Sequence, residues 1–134
     1  MTLFTVGLGC DRGVTLTTVR NAVRTALALA GARPEQVVMA ASITIKQDEA
    51  ALLALAQEHG WPLVFYPPEA LAQVAVPNPS ETVRKYTGTP SVSEAAALLA
   101  AGPNTSMTAL VVEKHKHRGA DGRNATVSIA RKEP

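Results

Sequence analysis

With a single cysteine among its 134 residues, the chain can form no disulfide within itself and lacks the thiolates of a cysteine-based zinc site. One free thiol fits a reducing cytoplasm, which is the expected location. An excess of one charge is also missing. Thirteen lysines and arginines against eleven acids leave +2, too little to suggest a general nucleic-acid binder, although a local cluster could still attract a polyanion. Long apolar runs are absent too. Every Ala/Leu-rich stretch is broken by charged or turn residues well short of the roughly 20 that a membrane span needs. The apolar start before Cys10 lacks the basic region and the length of a secretion signal. Gly7-x-Gly9 has no glycine three residues further on, and no Gly-Lys-Ser/Thr occurs, so neither dinucleotide nor P-loop chemistry is supported and no cofactor is expected. No histidine stands near Cys10 in sequence, so a buried or merely adjacent thiol is favoured over a nucleophile. A length of 134 residues suits one domain over residues 1–134 with a core of its own.

What is present reads as alternating strands and helices. Residues 3–8 form an apolar strand that runs into a turn marked by Gly7, Gly9 and Gly13, with Thr15 placed to cap the helix that follows. Leu16, Val19, Val23, Leu27 and Ala30 recur at helical spacing, which predicts a helix over residues 15–30 that Gly31 ends. The apolar run 37–43 predicts a central strand covered on both faces. Asp48 then suits an N-cap, Glu49 the first turn, and a second helix runs to Gly60. Residues 61–66 make a third strand closed by Pro67 and Pro68, and a short helix follows at 69–74. Residues 77–90 predict a long loop with a helical turn, a length more often functional than idle. Ser91 and Glu94 have capping-box spacing ahead of an alanine-rich helix that must pack closely against its neighbours. Residues 108–113 and 125–130 predict a closing hairpin across the turn-rich segment 118–123. The expected fold class is α/β, three layers with a mostly parallel sheet and a C-terminal antiparallel hairpin.

Ligands of open α/β sheets bind outside the carboxyl ends of the parallel strands. That rule gathers Gly9, Cys10, Arg12 and Gly13 after strand one, Ser42 to Lys46 after strand two, and Lys114 after strand four. The loop carrying Ser80, Arg84 and Lys85 stands beside them, and amides at Ser91 could contribute. Arg12, Lys46 and Lys114 would give this rim a positive charge suited to carboxylates; a polar rim with no ligand is the plainer alternative. Glu49 is read either as a surface residue balancing the helix dipole or as a partner of Lys46, and Glu94 as a cap. His115 and His117 could touch one metal, but Lys114, Lys116 and Arg118 interleave with them and disfavour a cation, so no metal site is expected.

Four motifs in order carry a resemblance: Val6-Gly7-Leu8-Gly9-Cys10-Asp11-Arg12-Gly13, Ala41-Ser42-Ile43-x-x-Lys46-x-x-Glu49, Pro77-x-Pro79-Ser80-x-x-Val83, and Gly88-x-x-Ser91-Val92-x-Glu94-Ala95-Ala96. Together with Lys114 and the closing 126–131, they resemble the CobE and CbiG C-terminal domain family of cobalamin biosynthesis. The resemblance implies a cytoplasmic role in making the corrin ring, with a polycarboxylate corrin or precorrin intermediate as ligand. Two other roles are implied: opening the lactone of a precorrin-5A-type intermediate, with Lys46 and Glu49 as an acid/base pair, or acting as a non-catalytic module for other cobalamin-pathway enzymes.

Overall fold

The computed structural model describes residues 1–133. Strands β1 (Leu3–Cys10), β2 (Val37–Ile43), β3 (Leu63–Tyr66), β4 (Leu110–Arg118) and β5 (Asn124–Lys132) form one sheet in the order β3-β2-β1-β5-β4. β1 pairs parallel with β2 and β2 with β3, whereas β5 runs antiparallel to both β1 and β4. Four strands therefore point one way and β5 alone is reversed, as expected of a mostly parallel sheet closed by a hairpin.

Alternation along β1 builds the two outer layers. Phe4, Val6 and Leu8 join the core beneath helices α1 (Leu16–Ala30) and α2 (Ala50–His59). Thr5, Gly7 and Gly9 turn to the opposite face, which helix α5 (Val92–Ala101) covers. Here the glycine expected to serve a turn does something else. Gly7 lies within β1, and the backbone of α5 rests directly on its Cα. The hydroxyl of Thr5 donates to the Ala97 carbonyl at 2.7 Å, fixing the same contact one step earlier along the strand. Ala95, Ala96 and Ala97, all fully buried, provide the small surface that lets helix and sheet approach so closely.

Thr15 caps α1, accepting from the Thr18 amide. The other two capping expectations fail. α2 starts behind Glu49 rather than Asp48, and neither carboxylate caps it, because both are drawn to Arg12. Ser91 flanks α5 with no side-chain hydrogen bond, and the Glu94 carboxylate accepts instead from the backbone and side-chain N–H groups of Asn78. Between α3 (Pro68–Ala72) and α5, the long loop contains α4 (Glu81–Thr87).

The hairpin is longer than its sequence pattern suggested, and it is fastened to α1. Asp121 accepts from the Thr15 amide at 3.0 Å, the Thr18 hydroxyl at 2.9 Å and the Arg123 amide at 3.2 Å. These donors, the Thr15 amide foremost, pull its carboxyl down to about 2. A depressed carboxyl stabilises the fold above the ordinary carboxylate range and loses that contribution as pH falls through its folded value. Acid titration followed by circular dichroism should therefore show stability declining between about pH 4 and pH 2. Asp121→Asn should flatten that limb, and an unchanged limb would remove Asp121 from the account.

Candidate functional site

A cleft of about 360 Å³ opens at the carboxyl ends of β1, β2 and β4, roofed by α4 and the first turn of α5. Ile43, Val83 and Val92 give it an apolar interior, and Gly9 and Cys10 end β1 at its wall. Lys46, Lys114 and Lys116 bring three ammonium groups to it. Lys114 and Lys116 are two residues apart on one strand and so share a face, which sends His115 and His117 to the other side of β4. Among the described residues, the ammonium groups of Lys46 and Lys116 make neither an ion pair nor a hydrogen bond, and Lys114 Nζ donates only to the Asn78 carbonyl, at 3.2 Å. Among the described residues, the one carboxylate at the wall is already hydrogen-bonded. Asp11 accepts from the backbone and side-chain nitrogens of Asn124 at 2.7 and 3.1 Å.

Arg12 also reaches the cleft, but its guanidinium is committed. Nη1 lies 2.7 Å from Asp48 and 2.8 Å from Glu49, and Nη2 donates to the Ile45 carbonyl at 2.6 Å. The Asp48 hydrogen bond holds the guanidinium pKa above its ordinary value and the Asp48 carboxyl below its own. Glu49 is only 4% exposed and takes the Gly13 amide as well, at 3.2 Å. The geometry thus departs from both readings of Glu49: it is no surface residue, and its ionic partner is Arg12 rather than Lys46. Arg12, Asp48 and Glu49 together tie the turn after β1 to the turn after β2.

Cys10 is half-buried, and its thiol is pushed up to about 11, chiefly by burial, with Lys46 pulling the other way. At neutral pH it is therefore a protonated thiol and a poor nucleophile.

Of the expected ligand-binding residues, Gly9, Cys10, Arg12, Lys46 and Lys114 meet at this wall, whereas Gly13, Ser42, Ser80 and Ser91 do not line it. Ser42 is fully buried and donates to the Leu8 carbonyl at 2.6 Å, which binds β2 to β1. Ser80 caps α4 by accepting from the Val83 amide at 3.2 Å. Ser91 is buried, and among the described residues its hydroxyl has no hydrogen-bond partner. Arg84 and Lys85 lie outside the cleft, Arg84 pairing with Glu81. Sequence reasoning missed Lys116, Ser93, Thr126 and Tyr86. Continuing strand four through Lys116 would have recovered the first, since Lys114 and Lys116 keep the strand period.

The fold is a three-layer α/β domain whose lysines gather at the carboxyl ends of the parallel strands, the end at which open α/β sheets hold their ligands. The chain belongs to the cobalamin synthesis G C-terminus family, whose model matches residues 4–130, and it is a cobalamin biosynthesis protein. It is 35% identical over 125 residues to the cobalt-precorrin-5A hydrolase of Priestia megaterium, covering 93% of this chain and 31% of that protein. Protein CobE of a Sinorhizobium species is 39% identical over 111 residues, 81% of this chain and 70% of the relative. The chain thus spans about a third of the hydrolase and about two thirds of CobE. The crystal structure of a CobE from the cobalamin (vitamin B12) biosynthetic pathway superimposes with a TM-score of 0.76 at 29% identity, over 97% of this chain and 90% of that one. Among the described residues, no helix is long and apolar enough to cross a membrane.

Proposed function

We propose that the cleft binds a polycarboxylate corrin or precorrin intermediate of the aerobic cobalamin pathway, holding or carrying it in the cytoplasm. One observation carries this reading: Lys46, Lys114 and Lys116 face one cleft, and among the described residues none of them forms an ion pair. Unpaired ammonium groups beside an apolar floor suit a ligand with a hydrophobic ring and an anionic fringe. Titrating the metal-free corrin hydrogenobyrinic acid with protein at low ionic strength should give a saturable shift of its visible absorption that added salt reverses. No shift at millimolar protein would defeat the proposal.

The identity to the Priestia megaterium hydrolase favours a second reading, hydrolysis of a corrin lactone. The cleft offers little support for Lys46 and Glu49 as an acid/base pair, because Arg12 and Gly13 already occupy Glu49. Incubation with a lactone-bearing intermediate and mass analysis separates the two: a binder returns its ligand unchanged, and a hydrolase adds the elements of water as the lactone opens and releases a two-carbon aldehyde.

A further inference from the structure

Resting on the polycarboxylate-macrocycle reading, we propose that Tyr86 is a specificity-determining residue that lies against the conjugated face of the ligand's ring, so that the cleft distinguishes a macrocycle from any other carboxylate-rich molecule. A cleft of about 360 Å³ sits near the lower end of small-molecule pockets, roughly 300–1,000 Å³, while a tetrapyrrole with its acidic side chains is a large ligand. Part of the ring must therefore rest at the mouth. Tyr86 stands there, 74% exposed, on α4 across from the lysines, and among the described residues it is the one aromatic side chain lining the cleft.

An aromatic side chain left in water this way has no role in holding the fold, yet its backbone is firmly placed. Ser80 caps the start of α4, and Gly88, at φ 82°, ends it with its amide on the Arg84 carbonyl. The Thr87 hydroxyl is within hydrogen-bond distance of the Val83 and Thr89 carbonyls, at 2.7 and 2.9 Å. The Ser80 amide donates to the Pro90 carbonyl at 2.9 Å, closing the base of the whole excursion. A tyrosine has two side-chain torsions and loses little entropy on contact, so a fixed α4 presents a ready surface for ring stacking. Lysines alone would hold any polyanion of suitable spacing; adding a π surface at a set distance from them restricts the choice to anions that carry a flat conjugated face.

The test uses uroporphyrin, an octacarboxylate porphyrin, and butanetetracarboxylate, which has the acids without the ring. The whole protein is compared as wild type, Tyr86→Ala, Tyr86→Phe and Lys46→Ala, with porphyrin binding read from the Soret band. Tyr86→Ala should weaken uroporphyrin binding about five- to tenfold, Tyr86→Phe should leave it nearly unchanged, and all variants should melt as the wild type does. Butanetetracarboxylate should compete for the site, with an affinity that Tyr86→Ala does not alter and Lys46→Ala lowers. Equal uroporphyrin affinity of Tyr86→Ala and wild type, alongside a loss in Lys46→Ala, would overturn the stacking role and leave the polycarboxylate site standing. A loss in Tyr86→Phe as large as in Tyr86→Ala would also overturn it, by assigning the effect to the hydroxyl. No binding of uroporphyrin by the wild type would overturn the ring-face role and count against the parent reading together.

Discussion

Gly7→Ala should destabilise the protein by about 3 kcal/mol or more, a large part of the roughly 5–15 kcal/mol that keeps a domain folded. A Cβ at this position would stand 1.9 Å from the Ser93 carbonyl oxygen, 2.7 Å from the Ala97 nitrogen and 2.9 Å from the Ser93 carbonyl carbon. All three are backbone atoms of α5, so no side-chain rotation relieves the collision. Helix and sheet would have to separate, which opens the layer formed by Ala95, Ala96 and Ala97 and breaks the Thr5–Ala97 hydrogen bond. Gly9→Ala is the matched control. Its added methyl would meet Thr126 and Val92 at 3.8 and 3.9 Å, ordinary packing distances. Chemical denaturation of the two variants should give a much lower midpoint for Gly7→Ala and a nearly native one for Gly9→Ala; coincident curves would mean that α5 does not press on β1 as described.

That contact also marks where sequence reasoning reached and where it stopped. The alanine run announced a closely packed helix, and the alternation Phe4, Val6, Leu8 against Thr5, Gly7, Gly9 was present in the sequence, but nothing local indicates which strand the helix crosses. The sheet order was hidden for the same reason: β5 inserts between β1 and β4 through pairings more than a hundred residues apart. Errors at the helix starts came from rules that consider only neighbours in sequence. Asp48 and Ser91 both have capping chemistry, yet Arg12, 36 residues from Asp48, offers a full charge in place of a backbone amide, and Asn78 offers Glu94 two donors at once. Charge-assisted and paired hydrogen bonds outweigh a single cap.

The candidate site shows the same division. Strand ends were legible, so Gly9, Cys10, Arg12, Lys46 and Lys114 were found together. The state of each was not. Arg12 reads from the sequence as a free cation, whereas in the fold its guanidinium is held by three acceptors that arrive from the turn after β2. Ser42 looked available at a strand end, but its hydroxyl points between strands to the Leu8 carbonyl. Which cations remain unpaired depends on tertiary neighbours, and that decides which of them can hold a ligand.

Binding should therefore depend on the lysines more than on Arg12, and the double variant Lys46→Ala/Lys114→Ala should show the largest functional loss. A charge-assisted hydrogen bond to a carboxylate contributes about 1.5–3 kcal/mol, so each single variant should lose about tenfold or more in affinity for hydrogenobyrinic acid. The two residues approach the cleft from different elements, the turn after β2 and strand β4, and on the proposed reading would meet different parts of the ligand fringe. Their losses should then nearly add, giving about a hundredfold or more in the double variant. Stability should barely change. Neither lysine has a carboxylate partner within ion-pair distance among the described residues, and a surface substitution of this kind alters stability by about 0.5 kcal/mol. Screening weakens what attraction between charges supplies, so the wild type should lose affinity steeply as salt is added while the double variant responds weakly. Lys85→Ala separates local from global charge: it removes the same net charge outside the cleft and should bind as the wild type does. If Lys85→Ala weakens binding as much as Lys46→Ala, net charge alone accounts for the attraction; if the double variant keeps wild-type affinity and salt dependence, the carboxylates of the ligand are held somewhere other than this cleft.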